Sequence, residues 1–459
     1  MTQQNNALPA GPLVAWYADD FTGAAAVMEV LTFAGLEAML FLEPPSDAQL
    51  ARYPDLKGIG VASTARAQSP EWMDGELPDI FARLAALNPA LLHYKVCSTL
   101  DSSPSVGSIG RAIEIAAAQF APAAVPVLVA APQMRRYQSF GHLFAGFEKA
   151  VYRLDRHPVM SRHPVTPMSE SDVAKHIALQ SDKLDAWCLS IEDMSQGATL
   201  PSRQPTPDRI AAITLDSVDA KTESSAGRLI WDARDANPFV VGSQGVEYAL
   251  VRHWRETGAI ADRPAPGGIG EAEGMVVVSG SVSPTTADQI DWAKDNGFES
   301  IAFDATFSCG TAMDLDHEVD RCIAACLDAL SQGRDPLVHT AEGPDDPAVA
   351  AFRQTVTQSP LSMVEANQRI GEALGRILQQ SLARSGIRRA VVSGGDTSGH
   401  ATRQLGIFAL SALAPTIPGA ALFRAHADGP MDGLELALKG GQMGSHDYFG
   451  WIRSGGGTR

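Results

Sequence analysis

Short runs of apolar residues alternate along this chain with longer segments in which apolar residues recur at helical spacing. The first run, residues 13–17, ends at Asp19-Asp20 and is followed by helical spacing over residues 24–34. Such alternation predicts β-strands joined by α-helices, and continuous apolar runs are typical of parallel strands covered on both faces. We therefore predict an α/β fold built on mostly parallel sheets flanked by helices.

The same pattern extends over the rest of the chain. Further strands are predicted at residues 38–42, 58–62, 91–95, 125–130, 211–215, 229–231, 240–241, 275–278, 300–303 and 389–392. Further helices are predicted at residues 105–119, 170–179, 245–255, 285–296, 316–331, 347–357, 367–385, 400–405 and 434–438. A segment rich in glycine and proline, ADRPAPGGIGEAE, interrupts the alternation and is typical of a linker. We predict a domain over residues 1–262, a linker over 263–274 and a second domain over 275–459.

Composition narrows the classes of function. The chain has 459 residues, of which 45% are hydrophobic, and its 36 basic and 53 acidic residues give a net charge of −17. At about 150 residues per domain, this length allows two or three domains. Nucleic acids and anionic membranes bind basic patches, so we predict neither as a partner. A small anionic substrate stays compatible with the net charge, because a few local Arg and Lys residues can bind it.

Cysteine usage and hydropathy predict the compartment. The chain has five cysteines, which is an odd number, and no two of them have CxxC spacing. This usage favours reduced thiols over disulfides or a metal site. The first eleven residues lack the basic start of a signal peptide, and no apolar run reaches about 18 residues. We therefore expect a cytoplasmic protein.

The most distinctive local pattern is SGGDTSG at residues 393–399, directly after a predicted buried strand. The backbone amides of Gly394 and Gly395 could approach an oxyanion without hindrance from a Cβ atom. Thr397 could donate its hydroxyl to a phosphate, and the following helix adds free amide donors. Asp396 could hold a metal-bound water. The alternative is a plain strand–turn–helix link in which Thr397 only caps the helix.

Two further turns share these features. Ser279 and Ser281 belong to SGSVSPTT, which also follows a buried strand and opens a helix. Gly441 belongs to KGGQMG near the C-terminus, after the helix predicted over residues 434–438. The alternatives are a capped helix start for the first turn and, for the second, a glycine that merely ends a helix.

Adjacent carboxylates end the first strand of the N-terminal half. Asp19 and Asp20 stand in ADDFTGA, and two neighbouring carboxylates repel each other, which stability alone does not favour. Such a pair can bind polyol hydroxyls, accept a proton from one of them, or bind Mg²⁺. The alternative is an aspartate that caps the next helix beside a solvated neighbour.

Polar groups follow other strands of the same half. Lys95 ends a predicted strand, and Ser98 and Thr99 come directly after it. Lys95 and Arg136 could bind a substrate carboxylate, or they could be ordinary surface charges. His163, in a proline-rich loop, could act on a substrate or cap the following helix.

Taken in order, these motifs resemble those of the four-carbon acid sugar kinase family, which includes kinases of threonate, erythronate and 3-oxo-tetronate. The matching segments are ADDFTGA at 18–24, YKVCSTLDS at 94–102, HPVTPM at 163–168, VGSQGVEYAL at 241–250, SGSVS at 279–283, SGGDTSG at 393–399 and ALKGGQMG at 437–444. The resemblance spans nearly the whole chain.

The resemblance implies two α/β domains on either side of a cleft, with the sugar acid bound by the first and ATP by the second. The γ-phosphoryl group of ATP would pass to the terminal hydroxyl of the acid, with Mg²⁺ bridging the phosphates and Asp19 or Asp20 as the base. Contacts with the acid are implied for Asp19, Asp20, Lys95, Ser98 and Arg136, and we predict further contacts from Thr99 and His163. Contacts with the nucleotide are implied for Ser281, Gly394, Gly395, Asp396, Thr397 and Gly441, and we predict a further contact from Ser279.

Three departures from the family pattern fall in the implied substrate site. Cys97 stands where many members have an acid, although its Cys-Ser-Thr context resembles the 3-oxo-tetronate branch. Asp101-Ser102-Ser103 replaces a common Arg-Gly-Asn stretch, and Arg135 stands where members often have glycine. These changes bear on which acid is the substrate more than on which reaction is catalysed.

Two other classes of protein are weaker alternatives. A non-catalytic sensor of nucleotides or sugar acids would keep the glycine turns but would not need the pair Asp19-Asp20. A nicotinamide-dependent oxidoreductase would need a GxGxxG fingerprint with an acid about 20 residues later, and the sequence has none. The sequence leaves the oligomeric state open, with a homodimer as one option.

Overall fold

A computed structural model describes residues 7–205 and 208–459, apart from the side chain of Asp396. The chain divides into two compact units, an N-terminal unit up to Pro264 and a C-terminal unit from Ala265. Among the described residues, no helix is both long and apolar enough to cross a membrane.

The N-terminal unit alternates strands and helices. Its strands are β1 (Val14–Ala18), β2 (Ala38–Phe41), β3 (Gly58–Ala62), β4 (Leu91–Lys95), β5 (Val125–Leu128), β6 (Arg136–Ser139), β7 (His142–Phe147), β8 (Ala150–Arg153), β9 (Leu184–Leu189), β10 (Ile210–Leu215) and β11 (Phe239–Gly242). Its helices are α1 (Phe21–Phe33), α2 (Asp47–Leu50), α3 (Pro70–Ala85), α4 (Ile109–Phe120), α5 (Val173–Ala178), α6 (Ile191–Ser195), α7 (Ala220–Asp232) and α8 (Gly245–Glu256).

Within this unit, the described strands of the main sheet are all parallel, in the order β2-β3-β1-β4-β11-β5-β10-β9. Strands β1 and β4 are buried along their whole length. Continuous burial is expected for parallel strands covered by helices on both faces. A core cluster that includes Tyr17, Phe81, Tyr94 and Phe239 packs one such face.

A small antiparallel sheet, β6-β7-β8, is inserted between β5 and α5. The buried carboxylate of Asp216, at the end of β10, accepts hydrogen bonds from the amides of Phe140 (2.6 Å) and Gly141 (3.0 Å) in the first turn of this sheet. The small sheet is therefore attached to the carboxyl edge of the main sheet, at β10.

The C-terminal unit follows the same plan. Its strands are β12 (Val276–Ser279), β13 (Phe298–Ala302), β14 (Asp335–His339), β15 (Arg389–Ser393), β16 (Ile407–Ala414), β17 (Leu422–Ala427) and β18 (Glu435–Lys439). Its helices are α9 (Pro284–Asp295), α10 (Ala312–Ser331), α11 (Pro347–Gln358), α12 (Met363–Ser385), α13 (Gly395–Gln404) and α14 (Tyr448–Arg453). Strands β13-β14-β12-β15-β18 are parallel, and β17 and β16 continue the sheet antiparallel.

The predicted fold class, mostly parallel sheets flanked by helices, is confirmed in both units. Two predicted elements are wrong. Residues 229–231 are not a strand but lie inside α7, whose apolar face they complete. Residues 434–438 are not a helix, because β18 covers Glu435–Lys439 and pairs with β15 and β17. Gly440 therefore follows a strand and does not end a helix.

Candidate functional site

Four charged side chains meet at the carboxyl ends of adjacent strands in the N-terminal unit. Asp19 and Asp20 follow β1, Arg66 lies in a 3-10 turn after β3, and Lys95 ends β4. The amide of Asp19 donates to the Lys95 carbonyl (2.9 Å), and the amide of Arg66 donates to the Asp19 carbonyl (3.0 Å). Because parallel α/β sheets bind ligands at this edge, we take these four residues, the carboxylate cluster, as a candidate site.

Asp19 is engaged by Arg66 through both of its carboxylate oxygens. Nε of Arg66 donates to Oδ2 (3.1 Å) and Nη2 donates to Oδ1 (2.7 Å), while Asp19 itself is 4% exposed. Burial raises the pKa of Asp19, although Arg66 and Lys95 oppose the shift. With both oxygens bonded, Asp19 serves to hold the guanidinium in place.

Asp20 keeps one oxygen available. Its Oδ1 accepts from the Gly23 amide (3.0 Å), which caps α1, and from Nη2 of Arg66 (2.7 Å), and it lies 3.8 Å from Nζ of Lys95. No described residue donates a hydrogen bond to Oδ2. Burial opposes ionisation, but Lys95 and Arg66 prevail and lower the pKa of Asp20. Asp20 is therefore an ionised carboxylate with a free oxygen at neutral pH.

Gly23 explains why the ADDFTGA motif carries a glycine one helical turn after the carboxylates. A Cβ atom at this position would overlap with Nζ of Lys95 and with Oδ1 of Asp20. Lys95 is only 2% exposed, so its ammonium group has little room to move. The absence of a side chain at Gly23 allows Lys95 to approach Asp20.

The loop after β4 contains one residue with a strained backbone and several polar side chains. Leu100 has a φ of +55° although it is bulky and buried, a conformation that is uncommon for such residues. Within this loop the Cys97 thiol and the Thr99 hydroxyl lie 3.1 Å apart. Ser98 is half-buried, and its hydroxyl makes no hydrogen bond with any residue that the structure describes. Ser98 and Cys97 are the more accessible groups here.

Arg136 is a second guanidinium near this loop. Negative charge on Cys97 would raise the pKa of both Arg66 and Arg136, so the thiol neighbours both. Arg136 donates only to backbone carbonyls, those of Met134 (3.1 Å), Arg135 (3.3 Å) and Gly146 (3.4 Å). Its buried Nε has no partner, and no carboxylate among the described residues pairs with it. Burial and the nearby charge of Arg135 lower the pKa of Arg136, and their combined effect exceeds the opposite effect of Cys97.

Arg135, in contrast, is occupied in holding the small sheet. Its side chain donates to the carbonyls of Ala150 (2.8 Å) and Glu148. Its backbone has a φ of +56°, a conformation that glycine adopts without cost. This accounts for the glycine that family members often carry at this position.

The proline-rich loop is joined to the loop after β4. The Thr166 hydroxyl donates to Asp101, and the Thr166 amide donates to Nδ1 of His163 (3.1 Å). His163 therefore closes its own loop and does not cap the following helix, which Asp172 caps instead. Asp101, one of the departures from the family pattern, is the residue that connects the two loops.

In the C-terminal unit, three glycine-containing loops meet at the ends of β12, β15 and β18. The strand register aligns Ser279 with Ser393 and Ser393 with Lys439. A Cβ atom at Gly280 would overlap with the Thr397 hydroxyl, and one at Gly441 would overlap with the Ser281 hydroxyl. The three loops therefore contact one another directly and would not fit together with side chains at these positions. We call them the glycine loops.

Hydroxyl groups line the glycine loops. Ser283 donates to the Gly441 carbonyl (2.6 Å), and so does Thr286 (2.9 Å). The Thr286 hydroxyl also contacts that of Ser281 (3.1 Å). Ser279 is fully buried, and its hydroxyl accepts a hydrogen bond from the Ser281 amide (3.4 Å). Ser279 therefore stabilises the loop and is not accessible to a ligand.

The residues predicted to bind the nucleotide in the loop after β15 differ in burial and backbone conformation. Gly394 has a φ of +121°, which only glycine readily adopts, and Thr397 is buried against it. Gly395 is exposed at the start of α13. The side chain of Asp396 lies outside the described part of the structure. The Gly394 amide donates to the Lys439 carbonyl (2.9 Å), so the prediction that it is available to an oxyanion is wrong. The Gly395 amide and the Thr397 hydroxyl are the groups that this helix N-terminus presents, and such a terminus suits an anion.

Lys439 is a buried cation beside the glycine loops. Its Nζ lies 3.4 Å from the Thr286 hydroxyl and 3.3 Å from the Gly440 carbonyl, and the residue is 2% exposed. No described carboxylate lies within ion-pair distance of it. Burial lowers the pKa of Lys439 to about 8.

Arg66 and Lys439 are functional candidates that the motif analysis did not select. Each lies at the carboxyl end of a strand, which is the one signal in the sequence that could have found them. Among the residues that the structure describes, no group of three or more His, Cys, Asp or Glu side chains could hold a metal ion. No protein ligand is therefore assigned to Mg²⁺.

The two units match two family models. Residues 14–250 match a model described as a sugar-binding N-terminal domain, and residues 276–449 match one described as a nucleotide-binding C-terminal domain. Both the carboxylate cluster and Arg136 lie in the first range, and the glycine loops lie in the second.

Individual relatives align over nearly the whole chain. A 3-oxo-isoapionate kinase of Paraburkholderia graminis is 42% identical over 98% of this chain and 96% of that protein. A 3-oxo-tetronate kinase of Pseudomonas savastanoi pv. phaseolicola is 27% identical over 96% of each. A solved structure from Salmonella typhimurium LT2, 23% identical, shares the fold with a TM-score of 0.73 over 96% of this chain and 98% of that one. The chain belongs to the four-carbon acid sugar kinase family.

Proposed function

We propose that this protein transfers the γ-phosphoryl group of ATP to the terminal hydroxyl of a small 3-oxo sugar acid. The observation that carries the proposal is that Cys97 neighbours two guanidinium groups, Arg66, which binds the ionised Asp20, and Arg136, which is half-buried and has no carboxylate partner in the described structure. Arg136 suits the carboxylate of the substrate and Asp20 suits its hydroxyl. The kinase names of the relatives favour an enzyme over a non-catalytic sensor.

The 3-oxo acid is proposed from the names of the relatives and from the chemistry of the site. Both names specify an acid with a 3-oxo group. Ser98, with a half-buried hydroxyl that makes no hydrogen bond to described residues, is available to donate to a ketone or hydroxyl oxygen. The carboxylate of the acid would pair with Arg136, because a guanidinium binds a carboxylate bidentately.

Asp20 is the proposed general base. Its free Oδ2 would accept the proton of the substrate hydroxyl as the oxygen bonds to the γ-phosphorus, and the bond from that phosphorus to ADP breaks. Lys95 and Arg66 keep Asp20 ionised, and Asp19 positions Arg66. Such a base typically contributes a factor of about 100 to 10,000 in rate.

The glycine loops are proposed to hold the phosphates of ATP. The backbone amide of Gly395 and the hydroxyls of Ser281 and Thr397 are the proposed donors, with Gly394 leaving the space for a phosphate to approach. Lys439 would add a positive charge close to them. Phosphoryl transfer depends chiefly on positioning and charge neutralisation, which such loops provide. Mg²⁺ is expected to arrive bound to the nucleotide, since it prefers phosphate oxygens and water.

The role of Arg136 can be tested with its neighbour as a matched control. Arg136→Met removes the proposed partner of the substrate carboxylate, whereas Arg135→Met removes a side chain that only supports the small sheet. Losing a charged hydrogen bond should raise KM for the acid about 10- to 100-fold in Arg136→Met and leave KM for ATP unchanged. Steady-state kinetics by ADP release gives both constants. Equal effects of the two substitutions on KM for the acid would contradict this assignment.

A further inference from the structure

The proline-rich loop between β8 and α5 adjoins two of the proposed contacts of the acid. Burial and the nearby charge of Arg136 lower the pKa of His157, so the start of this loop lies close to Arg136. Further along the loop, the Thr166 hydroxyl donates to Asp101, which follows Ser98 by three residues. The loop therefore extends from the guanidinium proposed to bind the carboxylate of the acid to the segment that carries the proposed hydroxyl donor.

The loop after β4, which carries Ser98, is itself firmly held. The hydroxyl of Ser102 donates to the Leu100 carbonyl (3.0 Å) and accepts from Nε2 of Gln180 (2.9 Å). Nε2 of His176, on α5, lies 2.9 Å from the same hydroxyl, and Ser102 is buried. These contacts fix the carbonyl of the one residue in the loop with a strained backbone. The loop after β4 is therefore a fixed support for whatever binds to it.

The proline-rich loop, residues 157–168, has far fewer attachments. Met160 and Met168 are buried in the core cluster of the N-terminal unit, and the loop between them is largely exposed. Among the described residues, Asp101 is the one outside this loop that hydrogen-bonds to the residues between the two methionines. Segments with few contacts open at low cost in free energy, so the bond from Thr166 to Asp101 determines where the middle of the loop lies.

His163 takes part in the contact between Asp101 and Thr166. Its Nδ1 lies 2.9 Å from the Thr166 hydroxyl and 3.8 Å from Oδ1 of Asp101. Hydrogen bonds to a carboxylate are about twice as strong as those between neutral groups. A single carboxylate of the loop after β4 thus holds the whole turn from His163 to Thr166.

We propose that Asp101 is a positioning residue that determines specificity: its bond to Thr166 holds the proline-rich loop beside Ser98 and thereby limits the length of the 3-oxo acid that the site accepts. The inference rests on the proposed function, because it requires that Ser98 and Arg136 bind the acid. Asp101 itself does not contact the acid in this assignment. A fixed wall that excludes one additional carbon typically discriminates about 10- to 200-fold.

Variants of both partners isolate the effect of the hydrogen bond. Asp101→Ala removes the acceptor, Thr166→Val removes the donor with little change of shape, and Asp101→Asn keeps an acceptor oxygen. Ser161→Ala is the matched control, because the Ser161 hydroxyl donates to the His157 carbonyl (2.8 Å) within the same loop. The readout is kcat/KM for four-, five- and six-carbon 3-oxo acids with a terminal hydroxyl, measured by ADP release at saturating ATP.

In wild type, kcat/KM should fall at least about tenfold between the preferred acid and the next longer one. Asp101→Ala and Thr166→Val should each reduce this ratio at least about fivefold and leave KM for ATP unchanged. Asp101→Asn and Ser161→Ala should keep the wild-type ratio. The double variant Asp101→Ala/Thr166→Val should be no less selective than either single variant, because both remove the same contact.

A variant that is merely less stable would lose activity towards all acids equally. An unchanged ratio in active Asp101→Ala and Thr166→Val, or the same reduced ratio in Ser161→Ala, would therefore overturn the assignment while leaving the proposed function intact. Thermal unfolding identifies a variant that does not fold, and the nearly isosteric Thr166→Val provides the ratio if Asp101→Ala is such a variant. Wild-type protein that phosphorylates no 3-oxo acid would contradict the proposed function itself, and this assignment with it.

Discussion

The four cations of the two candidate sites have unequal numbers of carboxylate partners. Arg66 contacts two carboxylates and Lys95 approaches one, whereas Arg136 and Lys439 have none among the described residues. A buried charge without a partner is costly, and binding an anion beside it recovers part of that cost. The unpaired cations are therefore the residues at which an anionic ligand gains most, one in each unit.

The pKa of Lys439 gives a prediction for pH dependence. Burial lowers it to about 8, so the side chain is charged at pH 7 and loses its proton as the pH rises through about 8. ATP binding favours the charged form, so KM for ATP should rise above this pH. Lys439→Met should show a high KM for ATP with no such rise, and Lys439→Arg should keep ATP affinity at high pH because arginine stays charged.

Steady-state kinetics from about pH 6.5 to about pH 9.5, with the acid saturating, separates KM for ATP from kcat. A purely structural lysine would change stability but would leave the shape of this profile intact. The same rise in KM for ATP with pH in Lys439→Met would show that another group is responsible.

Residue roles were only partly predictable from the sequence. Asp20 and Arg136 were selected because they belong to the motifs or adjoin them, whereas Arg66 adjoins none and only its position after a strand pointed to it. Arg66 lies 47 positions from Asp19 along the chain, and only the pairing of β1 with β3 brings the two together. The distinction between Asp19, with both oxygens bonded, and Asp20, with one free, likewise depends on distances that no pattern encodes.

At the scale of elements, glycines allow helix starts to pack closely against the ends of neighbouring strands. The first turn of α1 passes over Lys95 only because Gly23 has no side chain, and the glycine loops fit together for the same reason. A methyl group at position 23 would displace the ammonium group of Lys95. Because Lys95 is buried, its side chain has little space into which it could move.

Gly23→Ala should therefore separate Lys95 from Asp20 and lower kcat for the acid about 100-fold, while ATP affinity is unchanged. Gly75→Ala is the matched control, because this residue lies in α3 with no atom near the position of a new Cβ. Kinetics and calorimetric ATP titration on both variants check the prediction. Wild-type kcat in Gly23→Ala would rule out the proposed contact as a catalytic requirement.

The elements most easily predicted were those with long or fully apolar patterns. β3 and β4 begin and end where the apolar runs predicted, and the predicted helices other than residues 434–438 are correct within a few residues. Helix α3 and strand β16 were not predicted, and part of helix α7 was predicted as a strand. The five residues of β18 fit a strand or one helical turn equally well, and only pairing with β15 decides between them. The small sheet β6-β7-β8 was not predicted, because its strands are half-exposed and lack continuous apolar runs.

At the scale of the whole molecule, we propose that this acidic protein binds its anionic ligands through a few local cations. The net charge of −17 offers no long-range attraction for ATP or a sugar acid, so the binding must come from the local groups at the strand ends. Each unit contributes such an edge of its own parallel sheet, one with the carboxylate cluster and Arg136, the other with the glycine loops and Lys439. This division agrees with the descriptions of the two family models.

The most direct test of the account is ATP-dependent phosphorylation of 3-oxo sugar acids by the full-length protein, comparing wild type with Asp20→Asn. Wild type should release one ADP for each acid phosphorylated and almost none without the acid, as followed by coupled ADP detection and mass spectrometry of the product. Asp20→Asn should bind ATP normally but turn over about 100-fold more slowly or worse. Wild-type turnover in Asp20→Asn, or no phosphorylated product with any 3-oxo acid, would contradict the account.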